Sequence, residues 1–141
     1  TGKNVMVKQI IKDVFFLSQK SEPVTKDDIQ TAQDLLDTLA AHESECVGMA
    51  ANMIGVRKNI IVINMETMNI VMLNPVILQR SGVYETEEGC LSLSDTRSIT
   101  RYQNIEVEYQ DMQFRKHRQK YSGWTAQIIQ HECDHLAGIL I

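Results

Sequence analysis

The sequence predicts an α+β protein, with antiparallel or mixed β-sheets packed around a C-terminal metal-binding helix and an amphipathic helix near the N-terminus. Three observations predict it. Ile29, Ala32, Leu35, Leu36, Leu39 and Ala40 recur at helical spacing and define one apolar face. Apolar, β-branched runs fill the middle of the chain at 59–64 and 70–74. A second helical stretch follows and carries His131-Glu132-Cys133-Asp134-His135. Helix, then strands, then helix is the order of an α+β domain rather than of alternating βαβ units.

Taken in order, residues 5–17 hold Ile10, Ile11, Val14, Phe15 and Phe16, a pattern equally suited to a short helix or an extended arm. Thr25 is the candidate N-cap of the amphipathic helix, with Asp27 and Asp28 favoured at its positive end. Gln30, Gln33, Asp34 and Asp37 fall on its solvated face, and the helix should fade around 42–45. Pro75 cannot donate to a sheet ladder, so it belongs at an edge or a break, and 81–88 forms a further extended piece. Ile105, Val107 and Tyr109 alternate with Glu106, Glu108 and Gln110, the pattern of a half-buried strand. Asp111-Met112-Gln113 makes a turn, and the chain returns through Phe114 to Tyr121. Ser122 is placed to cap the last helix and Gly138 to end it.

With 141 residues, no internal repeat and no Pro-, Gly- or Ser-rich linker, one domain over 1–141 is the economical organisation. A net charge of −4 supplies no basic footprint for DNA and no cationic patch for an anionic membrane. No apolar run approaches the roughly 18 residues of a membrane span, and the first residues lack a signal-peptide pattern. Three cysteines with no CxxC argue against a disulfide framework and fit a reducing cytoplasm.

The chemistry lies in the last helix. Histidines four residues apart project from one helix face with Cβ atoms roughly 5–6 Å apart, so both imidazoles can reach one ion. Glu132 lies beside them, placed to take a proton from a water that the ion activates. Only aliphatic residues and Gly138 follow His135 here, which directs the search for a third ligand upstream. Candidates are Cys90, His42, His117, Cys46 and several acids. Cys90 stands out because Gly89 precedes it and because a thiolate is a strong soft ligand, although a lone cysteine is more often a small buried hydrophobe. His117 reads as part of a solvated basic strand, His42 as the polar end of the first helix, and Cys46 as core. The Cys133 side chain faces away from the ion.

Three blocks of this chain resemble those of the peptide deformylases. They are Val47-Gly48-Met49-Ala50-Ala51-Asn52-Met53-Ile54-Gly55, Glu88-Gly89-Cys90-Leu91-Ser92 and Gln130-His131-Glu132-Cys133-Asp134-His135-Leu136, with Leu73-Asn74-Pro75 between the first two. The resemblance covers nearly the whole chain. It implies a metal-dependent hydrolase that removes the N-formyl group from the N-terminal formylmethionine of nascent polypeptides, near the ribosome exit, and releases formate. By the same resemblance Cys90, His131 and His135 hold the metal, usually ferrous iron, with zinc, nickel or cobalt able to take its place. Glu132 then shuttles the proton, and the backbone N–H of Leu91 donates to the developing oxyanion. Val47, Gly48 and Gly89 lie along the substrate backbone, and Trp124 and Ile128 line the methionine pocket. Glu88 braces the site by pairing with Arg97 or Arg101. A monomer or weak dimer is implied.

The departures are as informative. The family's first block reads Gly-x-Gly-x-Ala-Ala-x-Gln, and here the first Gly position holds Cys46 and the Gln position Met53. That Gln is the family's side-chain oxyanion donor, whereas methionine has no N–H. Losing one such donor typically costs about 10²–10³ in turnover. A slow enzyme, a compensating donor such as Asn52, or a register change in the loop would follow. Ser94 stands where the family often has Pro. Two other readings compete: a deformylase-like module that binds peptide N-termini with weak or lost activity, and, disfavoured by a cysteine ligand, a metalloprotease.

Overall fold

Four consecutive buried residues, Ile60, Ile61, Val62 and Ile63, set the plan of the molecule. Successive strand side chains point to opposite faces, so a run apolar at every position implies cover on both. The computed structural model describes residues 5–65, 67–90 and 93–140, with side chains at 90 and 93–95 excepted. An N-terminal arm leads to a short helix, α1 (Val14–Leu17), and then to α2 (Ile29–Ala41). Five strands follow: β1 (Gly48–Ala50), β2 (Ile60–Met65), β3 (Met68–Cys90), β4 (Leu93–Gln110) and β5 (Lys116–Ser122). The metal-motif helix is α3 (Gly123–Leu136). The strands form one sheet in the order β1-β2-β3-β4-β5, and every paired neighbour is antiparallel. The expected mixed character is confined to an isolated parallel bridge between Glu22 and Lys58.

Ile60 and Val62 pack with Ala32, Leu35 and Leu39 of α2, whereas Ile61 and Ile63 pack with Ala126, Ile128 and Ile129 of α3. The two helices therefore cover opposite faces. α2 begins after a 3₁₀ turn at Lys26–Asp28, where the Thr25 N–H donates to the Asp28 carboxylate at 2.8 Å. It ends at His42, whose ring pairs with Glu45. The arm is extended and lies along α2: the N–H groups of Met6 and Lys8 donate to Asp37 Oδ2 and Thr38 Oγ1. That contact corrects the expected solvated face. Asp34 is buried, accepting from Gln30 at 2.9 Å with the Lys8 ammonium nearby.

Pro75 sits at an irregularity of the β3–β4 ladder, between the pairs Leu73↔Gln110 and Val76↔Glu108. The break spares it a donor it lacks. Asn74 beside it takes a left-handed φ of 51° and ties the bulge down, accepting from the Val24 N–H and donating to Gln110. β5 turns back after Asp111, whose carboxylate accepts the N–H groups of Gln113 and Arg115. His117 is not simply solvated, because it stacks on Tyr109 and pairs with Asp111 at 2.8 Å. Ser122 holds the N-cap position of α3 without a side-chain cap bond. Gly138 ends that helix with φ +81°, where a Cβ would lie 2.4 Å from the Ser18 carbonyl oxygen. Among the described residues no helix is long and apolar enough to cross a membrane.

Candidate metal centre and substrate pocket

Two contacts fix α3 against the sheet and so aim its histidines. β5 pairs with β4 only over 104–110, leaving the outer backbone of Tyr102 without a strand partner there. The Gln130 amide fills that gap, accepting the Tyr102 N–H at 2.9 Å and donating to its carbonyl at 2.8 Å. On the other side, Gly48 of β1 lies so close that a Cβ there would come within 2.8 Å of Ile128 Cγ2 and 2.9 Å of Glu132 Oε2. Glycine at 48 thus serves the approach of strand to helix, a reason distinct from the substrate contact expected of it.

His131 and His135 turn their Nε2 atoms toward each other at 3.1 Å. The edge of a tetrahedron with bonds of 2.0–2.1 Å is about 3.3 Å, so the pair is spaced as two ligands of one ion. The other nitrogen of His131, Nδ1, donates to Glu88 Oε1 at 2.7 Å, which directs the Nε2 lone pair into the site. His135 is held neutral, its pKa brought down to about 3 by burial and by the neighbouring His131. Glu132 completes the group, with its ligand atom and those of the histidines within 4.8 Å of one another. Its carboxyl is pushed up to about 7, chiefly by burial. Among the described residues its buried Oε1 has no hydrogen-bond partner, the environment of a group awaiting a water or a substrate proton. The residues present fit a divalent ion held by imidazole nitrogens.

Behind the histidines lies a buried ionic cluster. Arg101 binds Glu88 through two bonds, Nε to Oε2 at 2.9 Å and Nη2 to Oε1 at 2.7 Å, and reaches Asp134 at 2.6 Å. The structure thereby chooses Arg101 over Arg97. Arg97 is opposite Glu88 in the ladder, but its guanidinium reaches the Leu140 carbonyl. Burial alone would raise the Glu88 pKa, but bonds from His131, Arg101 and Gln127 outweigh it and bring the carboxyl down to about 2.

In front of the histidines a cavity of about 460 Å³ is lined by Val47, Gly48, Met53, Gly89, Trp124, Ile128, His131 and Glu132 of the expected residues. Cys46, partly buried against the core as expected, also lines it, and its thiol donates to the Gly48 carbonyl at 2.9 Å. Met53 is buried, and its sulfur accepts the Ala50 N–H at 3.5 Å. Asn52 does not stand in for the missing donor, because it is fully buried away from the residues that line the cavity, and its Nδ2 donates to the His135 carbonyl at 2.8 Å, bracing the end of α3. Cys133 packs on the sheet side of α3, and burial raises its thiol to about 12. Leu91 and the Cys90 side chain lie outside the described residues; the Cys90 backbone ends β3. Sequence reasoning missed Gln127, Tyr84 and Asp134. Gln127 had a signal, lying four residues before His131 on the same helix face.

A five-stranded antiparallel sheet with a His–Glu–His helix opening onto a pocket defines a metal-dependent hydrolase. The family model described as polypeptide deformylase matches residues 7–141. A peptide deformylase of Clostridium beijerinckii is 54% identical over 136 residues, spanning 96% of this chain and 100% of that protein. One of Picosynechococcus is 37% identical, spanning 88% and 71%. Among solved structures, the peptide deformylase of Thermus thermophilus superposes with a TM-score of 0.85 at 35% identity, covering 96% of this chain and 83% of that one. The Legionella pneumophila enzyme gives 0.85 at 31%, covering 95% and 83%. The chain belongs to the peptide deformylase family, whose members are metal-dependent hydrolases, and the reading as a binding module without activity is not favoured.

Proposed function

We propose that this deformylase acts in the cytoplasm on formylmethionyl nascent peptides, near the ribosome exit, as a monomer or weak dimer. Ferrous iron is its native ion, with zinc, nickel or cobalt able to fill the same site. His131, His135 and Cys90 would hold the ion, which when bound lowers the pKa of a water and polarises the formyl oxygen. The observation that carries the reading is the convergence of two imidazole nitrogens at 3.1 Å beside a buried Glu132 oxygen that has no partner among the described residues.

The chain's own residues supply the rest. β1 is an edge strand, so an extended peptide can add to it, with Val47 and Gly89 beside the cleft. The methionine side chain enters between Trp124 and Ile128. As water adds to the formyl carbon, Glu132 takes its proton. By the family resemblance, the Leu91 N–H would donate to the developing oxyanion. The C–N bond then breaks, and Glu132 returns the proton to the departing amine nitrogen, leaving formate and a free N-terminus. A carboxyl whose burial sets it near pH 7 is suited to both transfers.

Formate release from a formylmethionyl tripeptide by iron-, nickel- or cobalt-loaded protein tests the reading. Glu132→Ala should lower kcat by about 10²–10⁴ while metal content stays at one ion per chain. Turnover by the loaded protein no higher than that of this variant would refute the reading. Met53→Gln tests the missing donor. Restoring an N–H at that position should raise kcat by up to about 10² with KM little changed, and an unchanged kcat would mean that the site does not lack one.

A further inference from the structure

Gln127 places an amide in a cavity that is lined by apolar Val47, Trp124 and Ile128 as well as by Glu45, Glu87 and Glu88. Its orientation is fixed from both ends. Both Glu88 oxygens accept from the Arg101 guanidinium, so the Gln127 atom 2.8 Å from Glu88 Oε2 is the amide nitrogen. The Tyr84 hydroxyl then donates to the amide oxygen at 3.1 Å. An amide nitrogen carries two hydrogens, and the bond to Glu88 uses one. The second N–H has no protein acceptor among the described residues. A purely aliphatic occupant would displace water from it and offer nothing in return, whereas an occupant with an acceptor atom would satisfy it.

We infer that Gln127 is a specificity residue, whose free N–H donates to the acceptor atom of the substrate's first side chain. It favours a thioether over a methylene and extends the substrate class to N-terminal formylmethionine sulfoxide. The inference rests on the deformylase reading. A sulfoxide oxygen is a much stronger acceptor than a thioether sulfur, so oxidised N-termini become substrates rather than escaping processing.

The test compares kcat/KM of the metal-loaded enzyme on three tripeptides that differ only in the first residue: formylmethionine, formylnorleucine and formylmethionine sulfoxide. The expected order places methionine about tenfold above norleucine, a modest ratio because sulfur is a weak acceptor, with the sulfoxide also above norleucine. Gln127→Leu should bring the methionine-to-norleucine ratio to about one and abolish the preference for the sulfoxide. Gln127→Met, which keeps the side-chain length, should do the same if the leucine variant folds poorly. Loss of the bond to Glu88 would slow all three substrates alike, so the ratio is blind to a structural role. Turnover of all three with ratios unchanged in both variants would overturn this inference alone. No turnover of any by the wild-type enzyme would overturn the deformylase reading and this inference with it.

Discussion

The two helices that cover the sheet are held by different physics. α2 buries Ala32, Leu35 and Leu39 against Ile60, Val62 and Leu73, and its one buried acid, Asp34, accepts from Gln30 on its own helix with Lys8 of the arm nearby. α3 buries Ala126, Ile128, Ile129 and Leu136, but also Gln130, Glu132 and His135, whose positions are set by groups on distant strands. The first contact is non-directional and tolerates small shifts. The second is directional, and an error of an ångström would separate the histidines from a common ion. A scaffold helix can rely on burial, whereas a helix that carries a metal centre needs hydrogen bonds that fix its rotation.

The sharpest way to break that difference is Arg101→Ala. Removing it leaves Glu88 and Asp134 without their cation in a buried site, at a cost of about 3–5 kcal/mol. Because Glu88 also orients His131, metal retained per folded chain should fall too, as read by elemental analysis beside denaturant unfolding. Leu35→Ala is the matching change on the other face. It should cost about 2–5 kcal/mol through the cavity it leaves, yet kcat of the remaining folded enzyme and its metal content should be unaltered. If both variants lost metal equally, the two helices would not differ in the way argued.

Acid should separate the faces more gently. In the metal-free protein His135 has a pKa of about 3 against an ordinary 6.5. Below pH 6.5 the unfolded chain takes up a proton that the folded chain refuses, so stability falls as pH drops from 6.5 toward 3. Glu88, at about 2 against 4.5, contributes stability that is complete above 4.5 and is lost as pH falls through 2. Glu132 on the same helix works the other way: at about 7 against 4.5, it adds stability as pH falls from 7 to 4.5 and offsets the His135 loss there. Urea midpoints of the metal-free protein should therefore change little from pH 7 to 4.5 and decline from 4.5 to 3, and Glu88→Gln should flatten that decline. A flat profile below pH 4.5 in the unmodified chain would remove α3 as the acid-sensitive face.

What was legible in the sequence follows the same division. α2 was readable from Ile29, Leu35 and Leu39 because burial on one face imposes a period of 3.6. β2 and the strand through Ile105, Val107 and Tyr109 were readable because a pleated strand imposes a period of two or a continuous apolar run. The N-terminal arm was not, since Ile10 and Phe16 fit a helix or a strand equally, and the arm's conformation is set by Asp37 and Thr38 across space. Asp34 looked solvated for the same reason: what covers it comes from another part of the chain.

By itself the sequence determined that two imidazoles face one site. His131 and His135 four residues apart must share a helix face, and no other arrangement of that helix separates them. It also determined that position 53, which lines the pocket, carries no side-chain N–H. Tertiary structure alone decided that Arg101 rather than Arg97 holds Glu88, that Asn52 braces α3 away from the cavity lining, and that Gln127 lines the pocket while bonded to Glu88. Those choices turn on side-chain reach between strands and helix far apart in the chain. Helical spacing constrains neighbours on one element, but only the packed sheet brings 84, 88, 101 and 127 into one hydrogen-bonded cluster.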